Sequence, residues 1–203
     1  IPYTFQDHSL LLIDTAGIRK KARVGPGLEK MGVGKTLATL TRTDIAILVL
    51  DPYDEGIGHQ DLTLAELIEE RGVSALIIAN KADKLPAKDL VVLKEKIPQL
   101  FPHLAFAPTL FVSAKQNKHV DGIFPLLIKI REARNTVIPQ EKLNAFLIDA
   151  QQKHEEVIYT KFRRKDKKRI RLTNIEQIRY DPPVFLIQKN TKEPLPKGFE
   201  GFI

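Results

Sequence analysis

The sequence predicts an α/β layered domain with a mainly parallel sheet, followed by a smaller α+β domain. Short, continuous apolar runs at Ser9–Ile13, Ile45–Leu50, Ser74–Ala79 and Thr109–Val112 are bounded by turn residues. Strands buried on both faces of a parallel sheet read this way. Helix-period stretches separate the later runs, and alternating strand and helix implies right-handed crossovers within layers. Beyond Pro139 the alternation stops, and one helix precedes a pair of strands.

Taken in order, the first residues read as the end of a strand that leads into Ser9–Ile13. Val33–Arg42 reads as a helix with Gly32 and Gly34 at its mobile start. Asp61–Arg71 places Leu62, Ala65, Leu67 and Ile68 on one helical face and stops at Gly72. Leu90–Leu100 behaves similarly, as does Val120–Arg134, whose buried stripe is Ile123, Leu126, Leu127 and Ile130. Asn135–Gln140, containing Pro139, is the expected linker, dividing the chain into domains at 1–136 and 137–203. In the second, Leu143–Gln152 is a helix, and Arg169–Arg179 pairs with Val184–Lys189 around Asp181-Pro182-Pro183.

Composition narrows the class. Hydrophobic residues make up 43 % of the 203, ordinary for a globular chain. The absence of cysteine excludes disulfides and thiolate zinc sites. The longest apolar run, Ile45–Leu50, is far too short to cross a bilayer, so a soluble, cytoplasmic protein with no membrane partner is expected. Ile1 is not a natural start, and an N-terminally truncated chain is expected. The net charge of +7 is uneven: residues 137–203 hold 14 Lys plus Arg against 9 Asp plus Glu, a balance of +5. Its centre is the run Lys161, Arg163, Arg164, Lys165, Lys167, Lys168 and Arg169, with Arg171 close behind. Such a loop can release counterions from a phosphate backbone, and it can equally be a solvated hairpin tip.

Chemistry concentrates at the carboxyl ends of the expected strands, where open α/β sheets bind ligands. Ser74–Ala79 leads into Asn80-Lys81-Ala82-Asp83. The Asp83 carboxylate can accept from both the N1–H and the 2-amino group of guanine. Adenine, with an acceptor at N1 and no 2-amino group, would leave it unpaired at a heavy cost. Asn80 would brace neighbouring loops, and the Lys81 stem would lie along the base. Leu10–Ile13 leads into Asp14-Thr15-Ala16-Gly17, where Asp14 would hold magnesium through water and Gly17 would let a backbone N–H approach a terminal phosphate. Thr109–Val112 leads into Ser113-Ala114-Lys115, whose Ala114 N–H could donate to the guanine O6.

On these motifs the chain resembles the Der (EngA) family of bacterial ribosome-assembly GTPases, specifically a second GTPase domain followed by a C-terminal KH-like domain. The stretch Asp14 to Lys21 resembles that family's switch. Thr36-Leu37, Asp44, Val49-Leu50-Asp51, Glu55-Gly56 and Gln60-Asp61 also follow its pattern. Leu143-Asn144, Gln177, Pro182-Pro183, Phe185, Asn190 and Gly198–Gly201 are similar to its KH-like domain. The resemblance implies a P-loop-GTPase-like first domain binding GTP or GDP with Mg2+. It further implies GTP hydrolysis in the complete protein and contact with ribosomal RNA of the large ribosomal subunit through the basic loop.

Some segments depart from that pattern. Gly32, Gly34, Lys35 and Thr36 imitate a phosphate-cradling loop, but Glu29 stands at its first glycine, no strand precedes it, and it follows the Asp-x-x-Gly element. It is read as a decoy, and the fragment alone is expected to be inactive. Gly198-Phe199-Glu200-Gly201 matches a backbone-clamping G-x-x-G, but it lacks basic residues between its glycines. Thr191–Lys197, with Pro194 and Pro196, is too short for the helix the resemblance implies. Ile18, where many GTPases place a water-orienting glutamine, has no hydrogen-bonding group. No residue is assigned as catalytic base. The alternatives are a non-enzymatic RNA-binding adaptor with a degenerate GTPase domain and an ATPase using Gly34-Lys35-Thr36.

Overall fold

The computed structural model describes residues 1–14, 38–53, 56–153, 170–192 and 194–195. The chain divides into two compact units, Ile1–Ala133 and Arg134–Ile203.

In the first unit, β1 (Pro2–Phe5) and β2 (His8–Leu11) form an antiparallel hairpin with Phe5 opposite His8. The turn between them takes Gln6 into positive φ, 51°. β3 (Ile45–Leu50), β4 (Ser74–Ala79) and β5 (Thr109–Phe111) make a parallel sheet in that order. The register pairs Leu50 with Ala79 and Ala79 with Phe111, so the three carboxyl ends lie level.

Between β3 and β4 runs α1 (His59–Glu70), and between β4 and β5 runs α2 (Ala87–Leu100). Asp61, buried in the first turn of α1, accepts from the Gly58 N–H at 3.0 Å and so caps the helix. At the other end Gly72, with φ +61°, lets its own N–H reach the Glu69 carbonyl at 2.8 Å and the Val73 N–H reach that of Ile68 at 3.2 Å. That left-handed glycine closes the helix where the sequence places its stop. A short 3-10 turn, Val120–Gly122, precedes α3 (Ile123–Arg134).

β4 alternates between two cores, as the middle strand of a sheet covered on both faces must. Ala75, Ile77 and Ala79 pack with Ala65 and Ile68 of α1, Ile97 of α2, and Phe101 and Leu104 just beyond it. Leu76 and Ile78 pack with Val112 and with Leu127 of α3. The aromatic rings of Tyr3 and Phe5 stack on Phe124 at 4.5 and 5.3 Å, holding the hairpin to α3.

Two strand expectations are corrected. Ser9–Ile13 is not a doubly buried strand of the parallel sheet. It is shortened to His8–Leu11, pairs only with β1 among the described residues, and leaves Leu11 69 % exposed. Ile45–Leu50 forms in place, but Ile47 and Val49 are 37 % and 50 % exposed because nothing described covers that face of its edge. Between β2 and β3 lies a cleft of about 890 Å³, floored by Leu64 and Ile68 and roofed by Leu127 and Ile128. The other elements shift by a few residues: α1 starts at His59, α2 at Ala87, and the α-helical part of Val120–Arg134 at Ile123. Of Val33–Arg42, 38–40 are helix and 41–42 a turn, and 33–37 lie outside the described residues.

In the second unit, α4 (Gln140–Lys153) packs on the antiparallel pair β6 (Leu172–Tyr180) and β7 (Pro183–Lys189). Leu143 and Leu147 meet Ile170, Leu172 and Ile175. Glutamines tie the layers. Gln140 Nε2 donates to the Ile175 carbonyl at 2.7 Å, and Gln151 Oε1 accepts from the Leu172 N–H at 3.0 Å. The unit begins three residues ahead of the sequence-based boundary for a physical reason. Arg134, buried, donates to Asp181 at 3.0 Å, while Gln177 accepts from the Ile138 N–H at 2.8 Å and donates to the Thr136 carbonyl at 3.1 Å. The segment expected as the linker is therefore tied to Gln177 of β6.

Candidate functional site

The candidate site stands on the level carboxyl ends of β3, β4 and β5. Beyond β4 the chain continues its ladder for one bond on each side. The Asn80 N–H donates to the Leu50 carbonyl at 2.9 Å, and the Ala82 N–H donates to that of Val112 at 3.0 Å. Lys81 then enters the left-handed region, φ 61°, which non-glycine residues adopt rarely, and a 3-10 turn, Ala82–Lys84, follows. This tight reversal lifts Asp83, exposed, above the strand tips.

The loop after β5 closes on the same turn. Ser113, 2 % exposed, exchanges backbone bonds with Lys118 at 3.1 and 3.0 Å, and its Oγ accepts from the Gln116 N–H at 3.2 Å. The fold thus makes a small ring of backbone that projects Ala114, Lys115 and Gln116. Ala114 N–H donates to Asn80 Oδ1 at 3.1 Å, and Gln116 Nε2 donates to Asp83 Oδ2 at 3.2 Å. The Ala114 N–H assigned from sequence to a base oxygen is therefore engaged with Asn80 in this structure. Lys115 is exposed beside it.

From the other flank, Asp51, the first residue after β3, pairs with Lys81 through Oδ2 at 2.5 Å. Its Oδ1 accepts from the Tyr53 N–H at 3.3 Å, and the Tyr53 ring lies 4.4 Å from Lys84 Nζ. Asp51 and Gln116 were not among the sequence-derived site residues. Asp51 carried a usable signal: like Asp14, it directly follows an apolar, strand-like run in the sequence. Gln116 carried none, because its role depends on a turn that only the fold defines.

The remaining candidates are dispersed. Asp14 is exposed and lines the cleft between β2 and β3, which none of Asn80–Asp83 or Ser113–Lys115 borders. Thr15, Ala16 and Gly17 lie outside the described residues, as do Ile18 and the decoy Gly34-Lys35-Thr36. Of the basic run, Lys161, Arg163, Arg164, Lys165, Lys167, Lys168 and Arg169 lie outside them too, with Gly198–Gly201. Arg171 is described: its backbone N–H donates to Asn190 Oδ1 at 2.9 Å, and its carbonyl accepts from the Asn190 N–H at 3.0 Å. Among the described residues no helix is long and apolar enough to cross a membrane, and no group of acidic or histidine side chains forms a metal cage.

A level row of parallel strand ends carrying these loops places the chain in the open α/β class, which binds ligands at that end of the sheet. Residues 26–157 match the family of the elongation factor Tu GTP binding domain. The chain belongs to that family, and its resemblance to the Der GTPases extends over nearly its whole length. It is 31 % identical to GTPase Der of Staphylococcus carnosus over 99 % of this chain and 45 % of that protein. It is also 31 % identical to GTPase Der of Natranaerobius thermophilus, over 98 % of this chain and 44 % of the relative. The chain therefore spans just under half the length of these curated relatives. A solved structure of a probable GTP-binding protein, engB, is similar at 16 % identity with a TM-score of 0.49, covering 65 % of this chain and 83 % of that one.

Proposed function

We propose that this chain carries the base-reading half of a GTP-binding, GTP-hydrolysing switch that acts in assembly of the large ribosomal subunit. The observation that carries the reading is the gathering of Asn80, Asp83 and the Ser113–Lys115 loop by contacts between two strand ends. Asp83 offers its acceptors to the N1–H and 2-amino group of guanine, Asn80 braces the loop after β5, and Lys81 lies alongside. Ala114 lies close enough to Asn80 for one N–H to be shared with a base oxygen.

The phosphate half is proposed to come from a strand, a glycine-rich loop and a helix seated between β2 and β3. The cleft there, the exposed Ile47 and Val49, and the greater length of the relatives support this. Asp14, a hard oxygen donor exposed at that cleft, suits Mg2+ held through water. When bound, the cation would offset the charge of the phosphates. The 137–203 domain, KH-like by resemblance, would contact ribosomal RNA through its basic run, consistent with its +5 balance. The segment from Thr15 to Lys30, which lies outside the described residues, would sense the terminal phosphate and so couple nucleotide state to RNA contact. Ile18 favours a second reading, in which the protein binds nucleotide without appreciable turnover and serves as an RNA-binding adaptor.

One variant of the complete protein tests the base site and its output together. Asp83→Asn replaces an acceptor by an amide, which mispairs with the 2-amino group of guanine but can donate to the O2 of xanthine. GTP affinity should fall roughly a hundredfold, about 2.7 kcal/mol, with xanthosine triphosphate gaining. Sedimentation with large subunits should change its dependence from GTP to xanthosine triphosphate. Unchanged GTP affinity sinks the base site, and sedimentation indifferent to every nucleotide sinks the switch. Phosphate release by the unaltered protein separates enzyme from adaptor.

A further inference from the structure

We infer that Asp51 is a positioning residue for the base site, holding Lys81 at the tip of β4 from the neighbouring strand; this rests on the base-reading proposal above. Its geometry is set by the sheet. Because the Leu50 carbonyl takes the Asn80 N–H, β3 and β4 leave the ladder together, and Asp51 stands opposite the residues that follow Ala79. One carboxylate oxygen is held by the Tyr53 N–H and the other meets Lys81 Nζ. The carboxylate is thus held by its own backbone as well as by the lysine.

The pair is partly withdrawn from water, with Asp51 17 % and Lys81 35 % exposed at the side chain, so it is screened less than a surface pair. Lys81 holds a left-handed backbone conformation that surrounding contacts must maintain. Without Asp51 the lysine would lose one of its holds, and a base settling beside it would have more of the stem to order. Asp51 orders it in advance. Tyr53 does the same for Lys84, its ring beneath that ammonium, so residues 51 and 53 clamp the turn from one side. The loop after β5, through Ala114 and Gln116, clamps it from the other.

The test uses the complete protein and measures dissociation of GDP and GTP by stopped flow. Asp51→Asn keeps the acceptor for Tyr53 and removes the charge. It should speed release of both nucleotides about tenfold, with association little changed and the preference for GTP over xanthosine triphosphate intact. Asp51→Glu, which keeps the charge, should recover part of the loss. In a Lys81→Met background, Asp51→Asn should add nothing. Unchanged release, or the same tenfold effect without Lys81, overturns the inference. Asp83→Asn run in parallel separates the failures: if it weakens GTP binding while Asp51→Asn does not, only this inference falls. If the unaltered protein ignores guanine nucleotides, both readings fall.

Discussion

The two sides of the first unit's sheet differ sharply. At the side of β4 and β5, β4 is paired on both edges, helices pack on both of its faces, and the loops beyond the strand ends are bonded to one another. At the side of β3, the edge faces a cleft, apolar residues stand exposed, and β2 has turned away to pair with β1. Both regions are built from equally apolar runs. The lesson is that burial belongs to the pair of strands rather than to the run: a strand becomes interior only when its hydrogen-bonding edge and both faces have partners.

The comparison is most easily broken by supplying what the open side lacks. If a phosphate-cradling strand and helix complete the cleft, the complete protein should bind GTP at least roughly a thousandfold more tightly than residues 1–203 alone, about 4 kcal/mol. Calorimetry on both reads this directly, and tight GTP binding by the chain alone would show that the open side needs no completion. A smaller effect separates the two sides within the chain itself. Leu76→Ala, at a position with 0 % exposure, should cost about 3 kcal/mol in denaturant unfolding of residues 1–203. Val49→Ala, half exposed on the open face, should cost under about 1 kcal/mol there. Equal costs would mean the cleft closes in solution. The smallest effect probes the closed end. Asn80→Ala removes the acceptor for the Ala114 N–H and should lower stability by about 1 kcal/mol, since the freed donor regains water. Amide exchange at Ala114 should quicken in the same variant, and unchanged exchange would mean that Asn80 does not hold that loop.

Legibility followed the locality of the signal. Ser74–Ala79 was readable as a doubly buried strand and Gly72 as a helix stop, because unbroken apolar residues and a positive-φ glycine act within a few residues. Ser9–Ile13 misled because an apolar run does not say which neighbour it will find. The linker reading of Asn135–Gln140 missed the grip of Gln177, some forty positions away, and began α4 too late at Leu143. At the site, the motif letters named Asn80, Asp83 and Ala114. They did not disclose that the Ala114 N–H turns to Asn80, that Gln116 reaches Asp83, or that Asp51 reaches Lys81.

Sequence alone determined the α/β class, the order of elements in the first unit from Ile45 onward, the helical and paired-strand makeup of the second, and which residue types stand at each strand end. These follow from period and turn chemistry, which are properties of neighbouring residues. Tertiary structure alone decided the strand order β3-β4-β5, the level alignment of their ends, and the contacts that bind three separate loops into one cluster. Those are choices of partner between distant segments, fixed by hydrogen-bond register and by the faces that helices cover, and no local pattern encodes them.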